Sequence, residues 1–255
     1  MAGVLPAEAR PTMRLERVEV GGADLTLQAL AYWPSEQRGR ICCVVSHGFT
    51  ASRASVDLLA AYLAARHHPC LTFDARGHKL GATGGALLHM EQAVEDLLRA
   101  ARFALGHFGQ ERCMLAGHSM GALLSLAATL RLPQAAGCAC IATGGTPAAS
   151  FRQPLGQAML SQRSDYVEGA PALELLEQMG SLAADLSGLD GRPALFVAAR
   201  GDALVRPSSV RRLAGRAGPG AQYVEVDGTH LEAADRARGV VAHWLDELRS
   251  AGRVQ

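Results

Sequence analysis

Short apolar runs alternate along the chain with longer stretches in which apolar residues recur every three or four positions. Two runs, 14–20 and 25–33, flank Gly21-Gly22-Ala23-Asp24 and read as an antiparallel hairpin. The run Ile41–Ser46 (ICCVVS) is apolar almost throughout, the pattern of a strand covered on both faces. Further strands are expected at 70–73, 112–116, 138–142, 194–198 and 223–226. Helical spacing marks 52–66, with Ser52 as its cap, and 90–108, with Val94, Leu97, Leu98, Ala101 and Leu105 on one face. The same spacing returns at 119–130, 210–217 and 240–248.

Strands alternating with helices imply an α/β protein built on a mostly parallel sheet with right-handed crossovers. With the N-terminal hairpin, the sheet is predicted to have eight strands and helices on both faces. The stretch from about 147 to 192 breaks the rhythm: it is too long for a plain connection and too short for a second domain. It is expected to be a small lid inserted into a single domain that spans 1–255.

Composition narrows the field. The 25 basic and 24 acidic side chains leave a net charge of +1, so no basic field favours nucleic acid. The chain has 46 Ala and 24 Arg but one Lys, Lys79, and no Asn, which excludes a Cys-His-Asn triad. All six cysteines sit inside apolar runs, as buried free thiols of a reducing compartment do. Cys42 and Cys43 are adjacent in one run and should point to opposite faces of the sheet. Residues 1–20 carry prolines and charges and no apolar core, against a signal peptide. No later run reaches the length of a membrane span. A soluble cytoplasmic protein without metal or cofactor is the expectation, since no His/Cys cluster has ligand spacing.

The chemistry concentrates at Gly117-His118-Ser119-Met120-Gly121, where a strand runs directly into a helix. A serine on so tight a turn projects its hydroxyl, and the flanking positions must lack bulk. The Met120 N–H, at the helix start, then faces the place where an oxyanion would form. Of nine histidines, His230 follows the last strand after Asp227-Gly228-Thr229, at the sheet edge that also carries Ser119. His118, inside the turn, is expected to pack or bond locally. For the acid, Asp202 follows a strand end, while Asp227 already has an explanation in an Asp-Gly turn. Asp202 is the preferred acid, and the catalytic set is Ser119, Asp202 and His230 in that chain order.

Four blocks in this order resemble the α/β-hydrolase superfamily: Ser46-His47-Gly48-Phe49-Thr50, Phe73-Asp74-Ala75-Arg76-Gly77-His78, the serine turn, and Gly201-Asp202 with Gly228-Thr229-His230. The resemblance implies that the Phe49 N–H is a second oxyanion donor. It also implies that His47, Asp74, Arg76 and His78 brace loops and do not touch substrate. One departure is Lys79-Leu80-Gly81, where these proteins usually carry a small Gly and then Ser. The block from His47 to Arg53 and the short lid are most similar to the monoglyceride-lipase and cinnamoyl-esterase branch.

That resemblance implies hydrolysis of a small or medium acyl ester, a small-molecule substrate. Thioester, amide (aminopeptidase) or carbon–carbon hydrolysis on the same residues, and a non-enzymatic binding module, are the alternatives. The lid residues Phe151, Leu155, Met159 and Tyr166 are candidates to bind substrate, with Leu160, Leu175, Leu176 and Met179 nearby; the same spacing also serves to pack lid helices onto the body.

Overall fold

The computed structural model describes residues 13–37 and 40–253. The prolines and charges of residues 1–12, on which much of the signal-peptide argument rests, lie outside the described residues. The sheet begins with β1 (Met13–Val20) and β2 (Leu27–Pro34), paired antiparallel from Met13↔Pro34 to Val20↔Leu27. The remaining strands are β3 (Ile41–Ser46), β4 (Cys70–Phe73), β5 (Arg112–His118), β6 (Ala135–Ile141), β7 (Ala194–Ala199) and β8 (Ala221–Val226). Their order in space is β1-β2-β4-β3-β5-β6-β7-β8, with β2 antiparallel to β4 and every pair from β4 onward parallel. The predicted eight-stranded mostly parallel sheet is therefore found, with β5 at its centre.

Helices cover both faces, which is why β3, β4, β6 and β7 are buried along their whole length. One face packs α1 (Asp57–Ala65) and α8 (Ala233–Ser250) through Leu59, Leu63, Val241, Trp244 and Leu245. The other packs α2 (Met90–Phe108), α3 (Met120–Arg131) and α7 (Pro207–Arg216) through Leu97, Leu98, Leu123, Leu124 and Val210. Cys42 belongs to the second face and Cys43 to the first, as their adjacency in a strand demands. All six cysteines are buried and unpaired.

Between β6 and β7 the chain forms α4 (Pro147–Phe151), α5 (Pro154–Arg163) and α6 (Ala172–Ser181). This insertion is stitched to the loop after β4. The N–H of Lys79 donates to the Tyr166 carbonyl (2.9 Å), that of Glu168 to Gly77 (2.8 Å), that of Leu87 to Glu168 (2.8 Å) and that of Ala170 to Leu87 (2.9 Å). Lys79 Nζ reaches Asp165 (2.9 Å) and Glu168 (3.4 Å). Among the described residues no helix is long and apolar enough to cross a membrane.

Two local expectations are corrected. Ser52 does not cap a helix over 52–66: a 3-10 turn, Arg53–Val56, comes first, and the Ser55 N–H closes on the Ser52 carbonyl (3.0 Å), not its hydroxyl. The hairpin turn is longer than four residues, and β2 starts at Leu27. Asp24, within this turn, pairs with the Arg76 guanidinium (2.9 Å) and with Arg99 of α2 (3.7 Å).

Arg76 anchors that corner. Its Nε and Nη2 form a fork on the two Asp96 oxygens (2.6 and 2.7 Å), with both side chains buried. Removing one partner of such a pair leaves a buried charge uncompensated. Asp96→Asn is expected to lower unfolding free energy by roughly 3 to 5 kcal/mol, read from the urea midpoint. An unchanged midpoint would show that the pair does not hold the corner.

Candidate active site

Sheet and helix meet at Ser119 in a backbone conformation that serine rarely adopts, φ 55° and ψ −112°. The turn is held from both sides: the Ser119 N–H donates to the Ile141 carbonyl (2.8 Å), and the Ser119 carbonyl accepts from Ala122 (3.1 Å). The neighbouring glycines have steric causes. A Cβ on Gly117 would lie 2.2 Å from the Gly121 backbone, and one on Gly121 would lie 2.3 Å from the Ser46 carbonyl oxygen. No side chain fits at either place.

His230 and Asp202 reach the same point from two other strand ends. Asp202 lies just past β7 with its side chain fully buried, and His230 follows β8. His230 Nδ1 lies 2.7 Å from Asp202 Oδ2 and its Nε2 lies 3.2 Å from Ser119 Oγ. The carboxylate only accepts, so Nδ1 carries the proton and Nε2 is free to accept from the serine hydroxyl. The other carboxylate oxygen accepts the N–H groups of Leu204 (2.9 Å) and Val205 (2.7 Å), which fix its orientation. Asp227 is exposed and paired with Arg200. Of the two acids, then, it is Asp202 that meets His230.

Phe49 and Met120 line the same cavity as Ser119, and the Phe49 N–H donates to no backbone carbonyl among the described residues. Gly48 brings Phe49 close. A Cβ there would stand 3.1 Å from His118 Nδ1 and 3.4 Å from Ser119 Cβ. A hydroxyl, an imidazole and a carboxylate in series can activate the hydroxyl as a nucleophile.

Three buried histidines hold these loops, and none is charged. His47 donates from Nδ1 to the Gly48 carbonyl (2.8 Å) and accepts the Ala75 N–H at Nε2 (3.0 Å). His118 donates from Nε2 to the His230 carbonyl (2.8 Å). Burial pushes His47 down to about 4 and His78 and His118 to about 3. His118, expected to pack or bond locally, packs its buried ring against that of His230 (4.8 Å) and bonds the carbonyl of that residue, 112 residues along the chain. Asp74, expected to brace a turn, accepts from the Arg53 N–H (2.9 Å), the Arg53 guanidinium and the Ala82 N–H (2.9 Å).

Two cavities meet at Ser119 and share Phe49 and Phe151. One runs under the insertion past Met120, Leu123, Leu176 and Met179. The other passes His230, Met159, Leu160, Arg163 and Leu231. Phe151 and Met159 thus lie at the site. Leu155 does not: in the first turn of α5 it lines a separate outer groove beside Arg206 and Arg212. Tyr166 lines neither cavity, because the 3-10 turn Ser164–Tyr166 carries it back onto the Lys79 loop.

A family model described as serine aminopeptidase, S33 matches residues 37–170. No curated protein matches the chain. Among solved structures, an esterase of Pyrococcus furiosus is similar at 17% identity and TM-score 0.69, over 92% of this chain and 91% of that one. A hyperthermophilic esterase of the archaeon Pyrobaculum calidifontis is similar at 19% and 0.70, over 94% and 87%. An enol-lactonase of Burkholderia xenovorans LB400 is similar at 20% and 0.64, over 89% and 98%. At such identities the likeness speaks for the fold.

The neutral histidines set an acid limit. Unfolded, each titrates near its ordinary value of about 6.5, whereas folded it resists protonation until about 3 or 4. Below pH 6.5 the unfolded chain binds more protons, so stability falls with pH, by up to about 1.4 kcal/mol per pH unit for each histidine. His68, pushed by burial to about 4, adds a fourth. Urea unfolding at pH 7.5 and 5 should show this loss, and His118→Gln should make its slope shallower by about one proton. A slope unchanged in that variant would mean that His118 is not held neutral.

Proposed function

This chain belongs to the α/β-hydrolase family described as serine aminopeptidase, S33, and from that premise we propose that it is a serine hydrolase cleaving a small or medium carboxylic ester. The observation that carries the reading is the series of contacts from Ser119 through His230 to Asp202, 3.2 and 2.7 Å long. In this reading Ser119 Oγ attacks the acyl carbonyl while His230 Nε2 takes its proton, and Asp202 keeps Nδ1–H pointed away from the serine. The N–H groups of Phe49 and Met120 bind the tetrahedral oxyanion, at about 3 kcal/mol for a donor removed. His230 then protonates the departing alcohol, and water clears the acyl-enzyme by the same steps.

The family description raises amide cleavage at a free amino terminus as a second reading. A substrate ammonium group asks for a carboxylate counter-charge. Neither cavity at Ser119 has an Asp or Glu among its described lining residues. That favours the ester, as do the esterases among the structural neighbours. The insertion of α4 to α6 is read as a lid, since Phe151 and Met159 close the space above Ser119. Six buried free thiols fit a cytoplasmic site of action.

Ser119→Ala should abolish turnover of activated esters and labelling by a fluorophosphonate, mapped by mass to that residue; labelling that survives would overturn the assignment. Asp202→Asn should cost of order 10⁴ in kcat while Asp227→Asn stays near wild type. The reverse result would move the acid to Asp227.

A further inference from the structure

The two cavities at Ser119 differ in one respect that bears on substrate choice. His230 hands its proton to the leaving group, so that group must lie beside His230, in the cavity lined by Met159, Leu160 and Arg163. The acyl chain is left with the other cavity, past Met120 and Leu123. The acyl side has no charged lining residue, and on the leaving-group side Arg163 carries the only permanent charge among the described lining residues. His118, the neighbouring histidine, is kept neutral.

Arg163 is half-buried and has no carboxylate partner among the described residues. The acids that follow it on the lid, Asp165 and Glu168, are taken by Lys79. Its guanidinium stands 5.7 Å from the centre of the Tyr166 ring, a cation–π distance that holds the fork in place. The dipole of α5 explains a cation at that helix end, but not its placement in the cavity beside His230.

We propose that Arg163 is a specificity residue that binds a carboxylate on the leaving alcohol, so that the preferred substrates are acyl esters of hydroxy acids. A guanidinium matches a carboxylate with two parallel hydrogen bonds, and in the free protein this one has that capacity unspent. A phosphate would ask for more positive charge than the single cation here supplies. The inference rests on the serine-hydrolase reading and sharpens its substrate.

The test is a matched pair of esters, 3-carboxyphenyl butyrate and 3-carbamoylphenyl butyrate, which share acyl chain and shape and differ in charge. Wild type should favour the carboxylate ester by about tenfold in kcat/KM, mostly through KM, and added salt should erode that preference. Arg163→Gln should bring the ratio close to one, and Arg163→Lys should keep part of it. A wild-type ratio of one or below, or a preference that survives Arg163→Gln, overturns the inference and leaves the hydrolase reading standing. Absence of turnover of both esters together with absence of Ser119 labelling overturns both.

Discussion

The site depends on one close approach: the start of α3 pressed against the end of β3. Gly121 touches the Ser46 carbonyl, and Gly117 lies under Gly121 with no room for a methyl group. This contact forces Ser119 into its positive φ, because only a reversal at one residue brings the chain from β5 into a helix packed this tightly. It also carries the Gly48 turn over Ser119, so that Phe49 and Met120 line one cavity. The serine turn and the cavity wall beside it are thus consequences of the same packing. The strain is borne by the centre of the sheet, where β5 is flanked by β3 and β6 along its length.

Around that contact the loops are joined by neutral imidazoles and by one ion pair, Arg53 with the buried Asp74. A neutral histidine offers one donor and one acceptor in fixed directions, enough to link two backbone segments without burying an ion. His47 links the Gly48 turn to Ala75, and His118 links the serine turn to the backbone of His230. His118 thereby positions the imidazole that faces Ser119, its own ring 4.8 Å from that of His230. A second charged pair, Arg76 with Asp96, secures the corner between β4 and α2. Burial is the cost shared by both devices, and each avoids an unpaired charge in its own way.

Where a feature depended on local pattern, the sequence alone revealed it. The buried strands show as unbroken apolar runs, α2 shows as a face of Val94, Leu97, Leu98 and Ala101, and the glycines around Ser119 mark the turn before any coordinates. Asp202 and His230 could be read because strand ends in a parallel sheet share one edge. What stayed hidden was set by distance along the chain. Nothing near His118 in sequence points to His230, and nothing near Arg163 says that it shares a cavity with that histidine. Leu155 and Tyr166 lie away from the site for a related reason. Their helix and turn within the insertion are short, so a one-turn displacement or a backbone contact with Lys79 decides which surface each side chain meets.

The Lys79 loop shows how a departure in sequence can keep a physical requirement intact. The chain needs a residue without a side chain against Asp74, and Gly81 supplies it: a Cβ there would fall 2.4 Å from the Asp74 carboxyl carbon. Ala82 and Thr83 then close on Asp74 through a backbone N–H and a hydroxyl. Lys79 and Leu80, placed ahead of this anchor, are free to face outward. Lys79 does so toward the insertion, meeting it through its backbone and through Asp165 and Glu168. A charge that could be taken for a solvated loop residue is thus part of the seam between body and insertion.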